Sequence, residues 1–215
     1  MIHLHYYPGN ASFAPHIVLL ESGAAFELKR VDKEHDEHKS AAYLELNPNG
    51  LIPLLVDGDI VMYESAAICL HLADTHPAAK LAPAPGTPER AQLYKWLMWM
   101  TNTLQSTLLA YFYPERWVVE GNADGAAQVK AQAEARIVGL LDQLDAQLAR
   151  SGGPWLLGQQ YTLADAYALM LCRWTRGLAR PARSLGQLGP YLQRMLARPA
   201  VQQAIATEQL AQPWV

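Results

Sequence analysis

The sequence predicts an α+β protein in which a small unit of strands and helices precedes an entirely helical part. Alternating apolar residues, the pattern typical of strands, occur only in the first third of the chain. A proline-rich segment at 77–88 follows, and every later apolar pattern has helical spacing. We therefore predict a strand-containing domain over 1–76, a linker over 77–88 and an all-helical domain over 89–215.

The composition is typical of a globular protein that stays in the cytoplasm. The chain has 215 residues, of which 51% are hydrophobic and 17% charged, and this balance excludes a disordered chain. No apolar run reaches the roughly 18 residues that span a bilayer, and no signal-peptide pattern opens the sequence. Cys69 and Cys172 lie in apolar helical contexts, where buried structural thiols are expected. We predict a cytoplasmic protein that makes no membrane contact.

The net charge of −3 is unevenly distributed along the chain. Residues 1–85 carry 5 Lys and Arg against 11 Asp and Glu, whereas residues 86–215 carry 12 against 9. This difference in charge between the two parts is consistent with two separate domains. Neither part is basic enough to predict a nucleic-acid partner.

The first domain is predicted as β-α-β, a linking segment, and then β-β-α. Strands are expected at Ile2–Tyr7 and Phe26–Val31, with a helix between them that ends at Gly23. The charged linking segment contains His35 and His38, but their spacing among many charges is typical of a solvated surface, so no metal site is predicted.

A hairpin and a helix complete this domain. Leu54–Val56 is expected to pair with Ile60–Met62 across an Asp-Gly-Asp turn, and Pro53 directly precedes the first of these strands. An amphipathic helix follows at 65–76. In the second domain, helices are predicted at 89–113, 123–150, 162–178 and 190–197, with a short one after Pro199.

Four motifs in this order resemble the cytosolic glutathione transferases, and most of all their bacterial beta-like branch. The motifs are "YYPGNAS", "NPNGLIPLL", "YESAAI" and "YTLADAYAL", and the resemblance covers essentially the whole chain. It implies a thioredoxin-like N-terminal domain, an all-α helical bundle domain and a homodimer. It also implies glutathione as co-substrate and a hydrophobic electrophile as second substrate.

Two of these motifs are predicted to bind glutathione. Ser65 is expected to be an N-cap, so that the free N–H groups and the helix dipole form an anion site for the γ-glutamyl carboxylate. Glu64 beside it can pair with the α-amino group. By resemblance, the backbone of Ile52 binds the cysteinyl part of glutathione, and a cis Pro53 keeps that edge accessible. An ordinary helix cap and a strand-entry proline are the alternatives.

The opening turn lacks the cysteine of beta-like members, whose position is occupied by Ala11. Their frequent His-Lys pair is also replaced, by Gln105-Ser106. We therefore predict that the Ser12 hydroxyl donates a hydrogen bond to the glutathione sulfur and favours the thiolate, with Asn10 as the alternative donor. Ser12 could instead serve only as an N-cap.

Two further features complete the predicted site. Tyr111, Tyr113 and Trp117 are expected to line an apolar pocket for the electrophile, with interhelical packing as the alternative. Thr162 and Asp165 have capping-box spacing, which we interpret as structural.

The sequence as a whole predicts a glutathione transferase that ionises bound glutathione for attack on a small hydrophobic electrophile. Two alternatives stay open. One is a transferase-like interaction module without catalysis, and the other is a glutathione-dependent isomerase, dehalogenase or peroxidase.

Overall fold

The computed structural model describes residues 1–215, and its first unit is built on a four-stranded mixed sheet. The strand order is β2-β1-β3-β4; β1 and β2 are parallel, and β3 is antiparallel to both of its neighbours. This arrangement confirms the predicted thioredoxin-like unit. The strands are β1 (Ile2–Tyr6), β2 (Phe26–Arg30), β3 (Leu54–Asp57) and β4 (Ile60–Tyr63).

Helices cover both faces of this sheet. Adjacent residues of a strand point to opposite faces, and Leu54 and Leu55 belong to two different hydrophobic clusters for this reason. The larger cluster includes side chains of α1 (Phe13–Ser22) and α3 (Ser65–Thr75), and the smaller one includes Tyr43 of the short helix α2 (Ala41–Leu46). The sheet is therefore buried between helices on both sides.

The rest of the chain is helical, as predicted. The long helix predicted over 123–150 has those bounds in the structure. No helix combines the length and the apolar character that crossing a membrane requires. The helices are α4 (Pro88–Trp99), α5 (Ser106–Phe112), α6 (Ala123–Arg150), α7 (Leu163–Trp174), α8 (Leu188–Leu196) and α9 (Pro199–Thr207).

The segment predicted as a helix over 89–113 is helical from Pro88 to Phe112, but its winding changes in the middle. Six residues of wide π-helical turns, Met100–Gln105, separate α4 from α5. Hydroxyl side chains in this region donate to backbone carbonyls: Ser106 Oγ to Asn102 O at 2.6 Å and Thr107 Oγ1 to Thr103 O at 2.7 Å. Such bonds compete with the regular helical pattern. Short π segments occur frequently at functional sites, and this one lines the cavity described below.

Helix α7 lies at the centre of the molecule, and its N-terminus is held by a buried carboxylate. Asp165 accepts hydrogen bonds from the Leu156 N–H at 2.9 Å, the Thr162 N–H at 2.8 Å and the Tyr191 O–H at 3.0 Å. With Thr162 it forms the predicted capping box. Burial raises the pKa of Asp165 to about 6, and the hydrogen bonds oppose that rise.

The two units share one hydrophobic core. A single cluster of buried residues includes Leu4 and Ile17 of the first unit together with Leu97 and Leu169 of the helices. Because no break in packing marks a boundary, the linker at 77–88 and the two domain limits stay predictions.

Candidate active site

A cavity of about 280 Å³ lies where the first unit meets the helices. Its walls come from the turn before α1, the segment before β3, the start of α3, the π-helical segment, α5 and α7. The residues used below are Ala11, Ile52, Pro53, Glu64, Ser65, Asn102, Gln105, Leu109 and Tyr167.

The start of α3 presents unpaired donors to this cavity. The first helical bond runs from the Ile68 N–H to Glu64 O at 2.9 Å, and the N–H groups of Ser65, Ala66 and Ala67 have no acceptor in the protein. The Ser65 hydroxyl also has no partner. Ser65 is the first helical residue rather than the predicted N-cap, a position that Glu64 occupies instead. Together with the helix dipole, these donors form a site for an anion.

Glu64 has an unusual backbone for a residue with a side chain. Its φ of 74° lies in the left-handed region, and its carboxylate makes no cap bond. Such backbone strain costs of the order of 1–3 kcal/mol and persists mainly where function requires it. The strained residue places a free carboxylate beside the anion site.

In the segment before β3, one residue has both of its backbone polar groups unpaired. Ile52 has no backbone hydrogen bond through either its N–H or its C=O, and the Ile52–Pro53 bond is cis. The preceding carbonyl, that of Leu51, accepts from the Tyr43 O–H at 2.9 Å and from Asn47 Nδ2 at 2.8 Å. The chain is therefore anchored at Leu51, while the donor and acceptor of Ile52 remain available to a peptide-like ligand.

The structure does not bring the Ser12 hydroxyl into this cavity. Ser12 is fully buried, its Oγ donates to Tyr7 O at 3.1 Å, and the same oxygen accepts from the Tyr7 N–H at 3.3 Å. This differs from the predicted orientation toward a sulfur atom, because the only O–H of Ser12 is used within the turn. Ala11 is the residue of the turn that lines the cavity.

Asn10 lies on the other side of the same turn. Its Oδ1 accepts from the Ala11 N–H at 2.5 Å, and its side chain lines a second cleft rather than the cavity. Neither predicted sulfur donor is therefore a cavity residue.

A pair that sequence reasoning missed faces the cavity instead. The Tyr167 hydroxyl donates to Gln105 Oε1, and both residues line the wall. Burial raises the pKa of Tyr167, so this hydroxyl keeps its proton. The bond leaves the Gln105 Nε2 group, which has no partner in the protein, as a donor. The one sequence signal was that Gln105 occupies the histidine position of beta-like members.

The C-terminal part of the chain holds the opening turn. The Gly9 N–H donates to Glu208 Oε2 at 2.8 Å, and Trp174 Nε1 donates to the Gly9 carbonyl at 3.1 Å. Glu208 Oε1 lies 2.8 Å from Nδ1 of His16, and both side chains are buried. Both peptide groups of Gly9 are thus bound by residues of the helical unit.

A second cleft, of about 210 Å³, adjoins the cavity through their common residue Leu109. An outer cleft shares Leu109 and Tyr113 with it and has Arg116 and Trp117 in its lining. Tyr113 lines both clefts and Trp117 only the outer one. The second cleft is lined by Tyr7, Pro8, Gly9, Asn10, Leu109, Phe112, Tyr113, Trp174 and Arg176.

Tyr111 does not have the predicted position on the cleft wall. Its ring packs against the hydrophobic core and edge-on against Phe112 at 5.2 Å, and Nζ of Lys130 lies 5.1 Å from its centroid. Tyr111 precedes Tyr113 by two residues, a step that turns a side chain to another side of a helix. It therefore faces α6.

Comparison with known proteins identifies the family. A model described as the glutathione S-transferase N-terminal domain matches residues 11–75, and its C-terminal counterpart matches residues 127–201. Glutathione S-transferase GST-4.5 of Xanthomonas campestris is 34% identical over 207 residues, which cover 96% of this chain and 98% of that protein. Glutathione S-transferase GstA of Escherichia coli O157:H7 is 31% identical and covers the same shares.

Solved structures agree in fold. A glutathione transferase from Methylococcus capsulatus has 35% identity and a TM-score of 0.84, and the match covers 98% of this chain and all of that one. A sphingomonad glutathione S-transferase complexed with glutathione has 32% identity and a TM-score of 0.82, covering 97% of this chain and all of that one. Family models, relatives and folds coincide over nearly the whole chain, which therefore belongs to the glutathione S-transferase family.

Proposed function

We propose that this protein binds glutathione in the cavity and joins the glutathione sulfur to the organic group of an electrophile held in the adjoining cleft. The observation that carries the proposal is the convergence of two sets of unpaired groups on one cavity. These are the donors at the start of α3 and the unpaired backbone N–H and C=O of Ile52. A γ-glutamyl peptide carries a zwitterion and an extended backbone, which match these two sets.

Each part of glutathione has a partner in this arrangement. The γ-glutamyl carboxylate binds Ser65 and the neighbouring N–H groups, and the α-amino group pairs with Glu64. The cysteinyl residue pairs with the Ile52 N–H and C=O as an added strand does, beside Pro53. This places the sulfur near Ala11, on the wall opposite the helical unit.

Gln105 lines the same cavity from the helical side, across from Ala11. We assign Gln105 Nε2 as the hydrogen-bond donor to the sulfur, with the amide oriented by Tyr167. A hydrogen bond to the charged form stabilises thiolate over thiol. The thiolate attacks carbon of the electrophile, and the leaving group departs with the electron pair of the broken bond. Holding both reactants in adjoining sites contributes an entropic advantage.

The binding mode predicts a loss of affinity in one variant. Ser65→Ala is expected to weaken glutathione binding by about 1.5 kcal/mol, roughly tenfold, the lower end for a bond to a charged group. We expect a loss at the lower end of this range because the N–H groups at the start of α3 can still bind the carboxylate in the variant. Isothermal titration with glutathione measures the dissociation constant.

Ser184→Ala is the matched control, since Ser184 is exposed and does not line the cavity. Equal affinities of the two variants would remove Ser65 from the proposed site. Absence of any binding by the unchanged protein would remove the proposed function itself.

We also propose a homodimer in the cytoplasm. The acidic first part of one chain can face the basic helical part of another, and β4 is an edge strand with exposed apolar residues. Ile60 and Val61 of β4 and Tyr94 and Met98 of α4 are each more than 40% exposed, and we assign them to the interface. The two free cysteines suit a reducing compartment.

The expected mass from light scattering is twice the 23.8 kDa of one chain. Val61→Lys is expected to shift the mass toward one chain, because it places a positive charge against a basic surface. Val119→Lys changes another exposed valine and should leave the mass unchanged. A mass near 24 kDa for the unchanged protein at micromolar concentration would contradict the dimer.

A further inference from the structure

The second cleft combines aromatic walls with unpaired positive charge. Its lining includes the rings of Tyr7, Phe112, Tyr113 and Trp174, and no acidic side chain. The outer cleft next to it also has no acidic lining residue. An uncharged aromatic substrate would need only the aromatic rings for binding. The positively charged side chains in these clefts would have no role with such a substrate.

Two arginines supply this charge. Arg176 lines the second cleft and makes no ion pair; one of its nitrogens, Nη1, donates to the Arg173 carbonyl at 3.1 Å, and Nε and Nη2 are free. Arg116 lines the outer cleft, and its guanidinium lies 4.1 Å from the centroid of the Tyr113 ring, also without an ion pair.

Two other arginines of the chain are neutralised within the protein. Arg180 binds both carboxylate oxygens of Asp142, and Arg198 binds both oxygens of Glu21. Paired arginines of this kind have their charge satisfied within the protein. Arg176 and Arg116 are among the arginines without such a partner, and they are distinguished by lining these clefts.

Two carboxylates bond to lining residues of the second cleft but do not line it themselves. Glu34 accepts the Tyr7 O–H at 2.6 Å, and Glu208 holds the Gly9 N–H, but neither belongs to the lining. Lys33 Nζ lies 5.5 Å from the centroid of the Tyr7 ring and adds another positive charge at this end. Asn10 lines the cleft and contributes a neutral amide donor.

We infer that the electrophile of this enzyme is an aromatic compound that carries an anionic group such as a carboxylate. Its ring packs against Phe112 and Tyr113, and its anionic group binds Arg176, with Arg116 as the second cation. The inference rests on the proposed function, because it names the substrate of that same site. The leaving group of the electrophile then points toward the cavity and the sulfur.

A chloronitroarene is a balanced example of this reaction. The glutathione thiol releases its proton to solvent, and the thiolate forms a C–S bond at the ring carbon that bears chlorine. The C–Cl bond breaks, and chloride leaves with the bonding pair. No oxidant or reductant takes part.

The test compares two electrophiles that differ in charge at one position. The enzyme is given 4-chloro-3-nitrobenzoate or 4-chloro-3-nitrobenzamide, and each kcat/KM is divided by the rate constant of the uncatalysed reaction with glutathione. This division removes the different reactivities of the two rings. We expect the corrected ratio to favour the benzoate by about fivefold or more at low ionic strength.

Variants assign this preference to the arginine. Arg176→Gln is expected to lower the corrected ratio about fivefold, and Arg176→Lys should retain most of it because the charge remains. Arg136→Gln is the matched control, since Arg136 is an exposed arginine of α6 without an ion pair that lines none of these cavities. Raising ionic strength from about 0.01 M to about 1 M should reduce the ratio, because the Debye length falls from about 30 Å to about 3 Å.

The outcomes separate this inference from the proposed function. A corrected ratio near one that is the same in Arg176→Gln would overturn the anionic substrate while leaving glutathione transfer intact. If neither electrophile reacts and titration detects no glutathione binding, the proposed function itself fails. Retention of the preference in Arg176→Gln together with its loss in Arg116→Gln would overturn the assignment to Arg176.

Discussion

Replacement of Asp165 by alanine is expected to lower the free energy of unfolding by about 3–5 kcal/mol. The carboxylate is fully buried and accepts from Leu156, Thr162 and Tyr191. Alanine leaves these donors buried without a partner, and each unsatisfied group costs about 1–3 kcal/mol. The loss also removes the cap of α7, against which α1 and α4 pack.

Urea denaturation followed by circular dichroism measures this change. Asp124→Ala is the matched control, because Asp124 is an exposed aspartate in the first turn of α6. Its replacement should change the free energy of unfolding by about 0.5 kcal/mol or less. A loss below about 1 kcal/mol in Asp165→Ala would mean that the buried donors find other partners.

The raised pKa of Asp165 predicts that the free energy of unfolding depends on pH in a definite direction. Its pKa is raised from 3.8 to about 6 in the folded protein, so the folded state retains a proton that the unfolded chain releases in this range. The stabilisation linked to that proton is present below about pH 4 and is lost as the pH rises toward 6. The stability advantage of the unchanged protein over Asp165→Asn should therefore shrink across this interval, by up to about 3 kcal/mol. An advantage that grows with pH would contradict it.

Replacement of Gln105 by leucine is expected to raise the pKa of bound glutathione thiol by about 1–2 units. The change removes a hydrogen bond to a charged group, worth about 1.5–3 kcal/mol, and one pKa unit corresponds to 1.36 kcal/mol. The turnover rate at pH 7 should fall about ten- to hundredfold and recover partly at higher pH. Glutathione affinity should persist, because the proposed contacts with Glu64 and Ser65 involve another part of the molecule.

The ultraviolet absorbance of the thiolate, titrated with saturating glutathione, measures this pKa. Tyr167→Phe is expected to give a smaller shift, because the amide remains but loses its orienting bond. Gln132→Leu is the control, as Gln132 is an exposed glutamine of α6. Gln105→Leu therefore tests the hydrogen-bond donor, and Tyr167→Phe tests the residue that orients it. Gln132→Leu shows whether a glutamine-to-leucine change has a general effect.

Ser12→Ala tests the competing assignment. Since Oγ of Ser12 is bonded to the Tyr7 backbone, we expect this variant to lose about 1 kcal/mol of stability with little change in the thiol pKa. A shifted titration in Ser12→Ala beside a normal one in Gln105→Leu would return the role to Ser12. A shift in Asn10→Ala alone would assign it to Asn10.

Features that depend on neighbouring residues could be inferred before the fold was known. The apolar spacing of α6, the hairpin turn between β3 and β4 and the capping box of α7 are all local, and each was predicted near its observed place. The motifs around Pro53 and Glu64 also carried the resemblance to the glutathione transferases, the family that the comparisons then identified. Both motifs lie on one cavity in the structure.

Features that depend on distant residues emerged only from the tertiary structure. The bond between Gln105 and Tyr167 joins residues 62 positions apart, and the bond between Gly9 and Glu208 joins residues 199 positions apart. Neither pair leaves a periodic or local signal. The orientation of Ser12 was also undetermined, because one hydroxyl can serve a cap, a ligand or its own turn, and only the packed neighbours decide which. The proposed chemistry at the sulfur depends on such contacts between distant residues, whereas the local elements of the fold follow from patterns within a few residues.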